Sequence, residues 1–293
     1  MNTFLKKAKT LAAIMIIIIA SMALHSCQND AKIIEQADRY YETKKYKEAL
    51  DLYFSVYEKG HSGTEKKIAN IYYEQLDYVE ATKWFTKAAA QGDVEAQFRL
   101  GFIYDNGLGG LRDYAEAAKW FKKAADQGLA EAQCNLGLMY IHSRGVPQDY
   151  AEAAKWLNKA ADQGLAEAQY SLGVSYAHGY GVSQDYSEAT KWYMKAADQG
   201  YASAQYNLAI MYYNGQGVPQ DYAEAMKWYR KAADQGHASA QYDLGIMYYN
   251  GSGVPQDYAE AAKWYKKAAD QGLAIAQTGL NYMYATGKIV PQN

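Results

Sequence analysis

The sequence predicts an all-α fold, an α-solenoid of stacked helical hairpins, and two observations support this prediction. First, every tryptophan lies at the same place in a repeated pattern, 36 residues from the next: Trp84, Trp120, Trp156, Trp192, Trp228 and Trp264. Second, each 36-residue unit contains two stretches with the i, i+3, i+4 apolar spacing of an amphipathic helix. A fixed period of this length with two helices per unit indicates a repeat array.

One helix of each unit, helix B, contains the tryptophan. It begins at an Asp with a Glu three residues later, as in Asp149 and Glu152. This is the spacing of a capping box, in which each side chain bonds a free backbone N–H at the helix start. The helix is expected to end at a glycine such as Gly128, because glycine readily adopts the left-handed conformation that terminates helices.

The other helix, helix A, follows each helix B. In one unit Ala132, Leu136 and Tyr140 stand at i, i+4 and i+8. Helix A leads into a Gly-x-Gly-Val-Pro-Gln loop, for example residues 215–220. The glycines permit positive φ and the proline fixes φ, so we predict a tight connection to the next helix B.

The first 26 residues have the features of a targeting segment. Three lysines precede an apolar run over residues 11–24, and Leu-His-Ser then precedes Cys27. The run is shorter than the roughly 20 residues of a membrane-spanning helix. The segment resembles a bacterial lipoprotein signal, which implies that Cys27 is acylated and becomes the mature N terminus. An uncleaved hydrophobic anchor is the alternative, and both interpretations place the array on a membrane outside the cytoplasm.

Repeat motifs recur from residue 91 to residue 287. They are Ala-Glu-Ala-Gln, Leu-Gly, Tyr-x-x-Gly-x-Gly-Val-x-Gln-Asp-Tyr, Glu-Ala, Lys-Trp and Lys-Ala-Ala-x-Gln-Gly. Together they resemble the Sel-one-like repeat (SLR), an α-solenoid relative of the tetratricopeptide repeat. The resemblance implies a right-handed solenoid whose inner curve is lined by helix A. It also implies an adaptor function, since members of this family serve as scaffolds for complexes. Some secreted relatives with a disulfide in every repeat are linked with β-lactam binding, but this sequence lacks those cysteines.

The domain organisation follows from these patterns. Residues 1–26 are predicted to be the signal peptide. Residues 27–92 resemble tetratricopeptide-type hairpins, because their turns lack the Gly-Val-Pro loop. Residues 93–272 are predicted to form the 36-residue repeats, and residues 273–293 a C-terminal capping helix and tail.

A comparison of the repeats with one another suggests a binding face. Positions equivalent to Ala96, Gln97 and Leu100 hardly change, whereas the polar positions equivalent to 95, 99 and 106 vary and lie on another side of helix A. We predict that the variable face lines a groove that binds a protein or peptide; an ordinary solvated face is the alternative. The candidate binding residues are Arg99, Asn106, Asn135, His142, Ser171, His178, Asn207, Asn214, Asp243 and Asn250.

The sequence offers little support for catalysis. His142 and His178 occupy the same place in adjacent units, and packed helices lie about 8–10 Å apart, too far for two imidazoles to share a metal unaided. Cys134 is predicted to be a packed side chain. The Gly-x-Gly loops recur in every unit without the context of a nucleotide-binding motif. A net charge of −2 argues against nucleic-acid binding.

We therefore expect a membrane-anchored interaction scaffold of the bacterial cell envelope. Its partner would be a protein or peptide bound along helix A, and its location the outer membrane, facing the periplasm or the surface. No catalytic residue, cofactor or metal is expected. An envelope enzyme or a glycan- or peptidoglycan-binding protein is the alternative.

Overall fold

The computed structural model describes Met15 and residues 28–60, 63–110 and 112–290. The predicted signal segment, apart from Met15, and the predicted lipidation site Cys27 lie outside the described residues. Helices are the only regular secondary structure in the part that is described, and the first of them, α1, covers residues 28–42. The others are α2 (Tyr46–Tyr57), α3 (Glu65–Glu74), α4 (Tyr78–Ala90), α5 (Val94–Asn106), α6 (Tyr114–Asp126), α7 (Ala130–His142), α8 (Tyr150–Asp162), α9 (Ala166–His178), α10 (Tyr186–Asp198), α11 (Ala202–Asn214), α12 (Tyr222–Asp234), α13 (Ala238–Asn250), α14 (Tyr258–Asp270) and α15 (Ala274–Ala285).

The helices form stacked hairpins, which confirms the predicted all-α solenoid. Odd-numbered helices correspond to helix A and even-numbered helices to helix B. The helices α2 to α5 and α7 to α15 pack mainly against their neighbours in sequence. The chain divides into two compact units, residues 1–120 and residues 121–293. None of the described helices combines the length and the apolar character needed to cross a bilayer.

Each unit has its own core, built from the positions that recur in every repeat. In the first unit Ile68, Phe85 and Leu100 are fully buried. In the second unit each helix A buries one leucine, and four tryptophans of helix B are at most 8% exposed: Trp156, Trp192, Trp228 and Trp264. The tryptophans of helix B are therefore core residues in this unit. Burial of such large apolar side chains provides much of the stability of each hairpin.

Helix B begins and ends where the sequence predicts, but only half of the capping box forms. The Asp149 carboxylate accepts a hydrogen bond from the backbone N–H of Glu152 at 2.9 Å. The reciprocal bond is replaced, because the Asp149 N–H donates to the carbonyl of Tyr140 at 3.2 Å. Glu152 is thus released, and it accepts instead from Lys155 Nζ and from the indole N–H of Trp156, both at 3.0 Å.

Hydrogen bonds between glutamines join successive hairpins. Gln199 Nε2 donates to the Gly164 carbonyl at 2.9 Å and to Gln169 Oε1 at 2.8 Å. Gln169, which is buried, donates in turn to the Ala161 carbonyl at 3.1 Å. The same side-chain pairing recurs in the second unit between Gln163 and Gln133, Gln235 and Gln205, and Gln271 and Gln241. This ladder satisfies amides that would be costly to bury without partners.

Candidate binding face

The candidate residues at the ends of the A helices are solvent-exposed. Each is the last residue of its helix and precedes the loop to the next helix B. They are Asn106 in the first unit and His142, His178, Asn214 and Asn250 in the second. Helix termination fixes their position, since Gly215, for example, follows Asn214 with a φ of 69° and ends α11. These side chains are placed where a partner could contact them.

The candidate residues in the middle of the A helices are less accessible. Arg99, Asn135, Asn207 and Asp243 are half-buried. Ser171 is buried, with only 8% of its surface exposed, so its inclusion among the groove residues is corrected. The side chain of serine is too short to extend past the larger residues around it on α9, where Tyr170 and Val174 are both half-buried.

Two of the middle residues interact with phenols of other helices. Burial raises the pKa of the Tyr170 and Tyr193 phenols, and the Asn207 side chain acts in the opposite direction on both. Burial raises the pKa of the Tyr206 phenol, and the charge of Asp243 raises it further. Asn135 instead donates to the Glu131 carbonyl of its own helix at 2.9 Å. The middle of the candidate face is therefore partly enclosed by neighbouring helices, which the comparison of repeats did not reveal.

Charge is segregated between the two kinds of helix in the second unit. The helices α7, α9, α11, α13 and α15 contain no lysine or arginine, while they carry Glu131, Glu167 and Asp243. All lysines of this unit except Lys288, which follows α15, lie on the B helices. Several of them pair with a glutamate three residues earlier, as Lys155 does with Glu152 at 3.0 Å. The A helices therefore present polar and acidic groups, and His142 and His178 are their only basic side chains.

Aromatic rings stack beside the exposed end of α9. The His178 and Tyr180 rings stack with centroids 5.4 Å apart, and Tyr180 stacks on Tyr150 at 5.1 Å. Tyr180 is 42% exposed and occupies the variable position of the Gly-x-Gly loop. The imidazole of His178 is therefore oriented by a ring stack that the sequence did not indicate.

The cysteine and histidine chemistry of the described residues is limited. No three His, Cys, Asp or Glu side chains in the described ranges come close enough together to hold a metal ion. Burial raises the pKa of the Cys134 thiol to about 12, and the charges of Glu167 and Glu131 add to this effect. Cys134 is thus a protonated, packed side chain at neutral pH.

A family model described as the Sel1 repeat matches this chain seven times. The matches cover residues 55–93, 94–129, 130–165, 166–201, 202–237, 238–273 and 272–293. They extend N-terminally of residue 93 and include the hairpin formed by α3 and α4. No curated protein matches the chain.

Two solved structures with more than 30% identity share the fold. A protective antigen of uropathogenic Escherichia coli strains displaying an SLR fold is 39% identical, with a TM-score of 0.71 over 89% of this chain and 53% of its own. The present chain therefore spans about half the length of that protein. A Sel1 repeat protein from Oxalobacter formigenes is 34% identical, with a TM-score of 0.72 over 79% of this chain and 93% of its own.

Proposed function

Since the chain belongs to the Sel1 repeat family, whose members generally mediate protein–protein interactions, we propose that it is an envelope scaffold binding a protein or peptide partner along helix A. The family is typically non-enzymatic, and the function we propose requires no catalysis. The observation that carries this proposal is the face formed by the A helices of the second unit. Its helices end in exposed Asn and His side chains and contain no lysine or arginine, whereas all lysines of that unit except Lys288 lie on the B helices.

The proposal includes a lipid anchor at Cys27. Its support is the lysine-rich start, the short apolar run and the Leu-His-Ser-Cys sequence. The similar Escherichia coli protein is a protective antigen, and an envelope location for the present chain would agree with that.

Photocrosslinking in cells tests which face binds the partner. A benzophenone amino acid placed at Asn214 or Asn250 would project from the exposed ends of α11 and α13. We expect both positions to capture the same protein. Matched probes at the exposed Lys227 and Lys263, on the B helices α12 and α14, should capture little of it. Capture of the partner from the B positions alone would show that the binding face is on the other side of the hairpins.

Lipid labelling tests the anchor. Replacing Cys27 with serine should abolish incorporation of radiolabelled palmitate and leave the precursor unprocessed. Cys134→Ser is the matched control, because Cys134 is buried in the repeat core and should not affect labelling. Normal processing and membrane retention of Cys27→Ser would refute lipidation at this residue.

A further inference from the structure

Asp243 differs from the residues at the same place in the other repeats. Arg99, Asn135, Ser171 and Asn207 occupy that place elsewhere, so Asp243 is the single acid among them. Its side chain is half-buried on α13, and burial raises its pKa above the ordinary value, with the Tyr206 hydroxyl acting in the opposite direction. A carboxylate held away from water gains strongly from a cationic partner.

The described part of the chain supplies no such cation. The neighbouring A helices, α11 and α15, contain no lysine or arginine. The groups on which the Asp243 charge acts are phenols: besides burial, it raises the pKa of Tyr206, Tyr229, Tyr242 and Tyr265.

The basic residues nearest in sequence are already engaged. Lys231 Nζ lies 3.8 Å from the centroid of the Trp228 ring. Arg230 on α12 donates a hydrogen bond to the Tyr248 hydroxyl, and its guanidinium lies 5.8 Å from the centroid of the Trp264 ring. His237 stacks on Tyr206 at 4.6 Å and accepts a hydrogen bond from the Ala240 N–H through Nδ1. Burial lowers the pKa of His237, which favours its neutral form.

We propose that the face formed by α11 and α13 docks a basic peptide segment of a partner protein, with a lysine or arginine side chain paired to Asp243. This inference rests on the proposed scaffold function and names the chemical class of its partner. Charge complementarity supports it, because the A helices of the second unit carry Glu131 and Glu167 as well and no lysine or arginine. Asp243 is half-buried, and an ion pair is stronger where water is partly excluded. Half-buried Ile210 and Ile246 border the site and offer apolar surface to the stem of a lysine.

Fluorescence anisotropy with the full chain in detergent tests the proposal. The probe is a fluorescein-labelled 12-residue Gly/Ser peptide with four evenly spaced lysines, and the comparison peptide has glutamine at those positions. We expect saturable binding of the lysine peptide that weakens as salt rises, and no binding of the glutamine peptide. Asp243→Asn should weaken lysine-peptide binding by about 10-fold, the effect of losing one charge-assisted hydrogen bond.

Two variants control for charge and for folding. Asp234→Asn makes the same charge change at an exposed residue of α12 and should leave the affinity unchanged. Asp243→Glu keeps the charge and should retain affinity within about 3-fold. Asn has nearly the same size as Asp, and the substitution removes a partly buried charge. Thermal unfolding of Asp243→Asn should therefore occur at the same temperature as in the wild type or higher, which separates a binding role from a structural one.

The proposal is overturned if the lysine peptide does not bind, if Asp243→Asn binds it as the wild type does, or if Asp234→Asn weakens it equally. The last result would indicate a general effect of net charge. Crosslinking from Asn214 and Asn250 does not depend on the charge of the probe. Capture of a partner there, together with failure of the lysine peptide, would disprove only the basic partner, whereas failure of both would also disprove the scaffold function.

Discussion

At the scale of single residues, Cys134 provides a direct test of core packing. Its side chain is 2% exposed and its pKa is raised to about 12 by burial. In a Cys27→Ser variant, where Cys134 is the single remaining cysteine, we expect no reaction with a maleimide at pH 8 in the native state. Complete reaction should follow unfolding in guanidinium. Rapid labelling of the native protein would show that the packing of neighbouring helices against α7 opens readily.

The imidazole of His237 is expected to make α13 sensitive to pH. Burial lowers its pKa below the ordinary 6.5, so the unfolded chain binds the proton more readily. Its contribution to stability is therefore present above about pH 6.5 and is lost as the pH falls through the lower folded pKa. Amide protection factors in the first turn of α13 should be smaller at pH 5 than at pH 7.5.

His237→Leu is the control, because Leu129 and Leu165 occupy the equivalent position in other repeats. The pH dependence of protection should disappear in this variant. If it persists unchanged, another group is responsible; Asp243, whose pKa is raised, would act in the opposite direction and stabilise the fold as the pH falls.

Sequence comparison identified the packing positions of helix A correctly but misjudged the middle of the candidate face. Positions equivalent to Ala96 and Leu100 are buried, as their constancy indicated. Variability at Asn207 suggests freedom from structural constraint, yet its side chain is half-buried and acts on the pKa of the Tyr170 phenol in the preceding helix A. Burial of this kind arises from packing between repeats, which a comparison of equivalent positions along the sequence does not show. Three-dimensional contacts between repeats were needed to distinguish these cases.

At the scale of the helix and its loop, two glycines with similar backbone angles should differ in their tolerance of substitution. Gly217 and Gly200 have φ values of 72° and 88°. A Cβ at Gly217 would lie 2.1 Å from the Tyr186 carbonyl oxygen, whereas a Cβ at Gly200 would meet nothing within 4 Å. In both alanine variants the free energy of unfolding should fall by about 1 kcal/mol, because alanine is strained in the left-handed conformation.

The free energy of unfolding should fall by roughly 1–3 kcal/mol more in Gly217→Ala than in Gly200→Ala, because the loop must move away from the start of α10. Chemical denaturation of the two variants measures this difference. Equal losses would mean that the loop relaxes freely and does not fix the spacing of successive hairpins.

The helix ends were predictable because their signals are local. An Asp cap bonds a backbone N–H within three residues, and a left-handed glycine turns the backbone directly after the helix. In the structure α8 begins after the cap Asp149, and α10 ends just before Gly200, whose φ is 88°. The missing half of the capping box was not predictable in the same way. It depends on the Tyr140 carbonyl, nine residues before Asp149, which takes the N–H that Glu152 would have bonded.

At the scale of the whole molecule, stability is distributed along the repeats. The buried residues of the second unit group into successive clusters, each shared by neighbouring hairpins. In such an array each hairpin is stabilised mainly by contacts with its neighbours, so the effect of a destabilising substitution is expected to stay local. The same repetition places one A helix after another on the proposed binding face, and it allows one repeat to acquire Asp243 without disturbing the packing of the others.

Removal of one tryptophan tests this locality. Trp156 is 5% exposed, its indole N–H donates to Glu152, and Lys159 Nζ lies 4.0 Å from its ring centroid. Trp156→Ala should cost about 3–5 kcal/mol through lost burial and the cavity left behind. Hydrogen exchange should accelerate across residues 129–200 while residues 238–270 keep their protection. Tyr180→Ala, which removes a ring that is 42% exposed, should change protection little. An equal loss of protection throughout residues 121–290 in Trp156→Ala would instead show that the second unit unfolds as a single cooperative block.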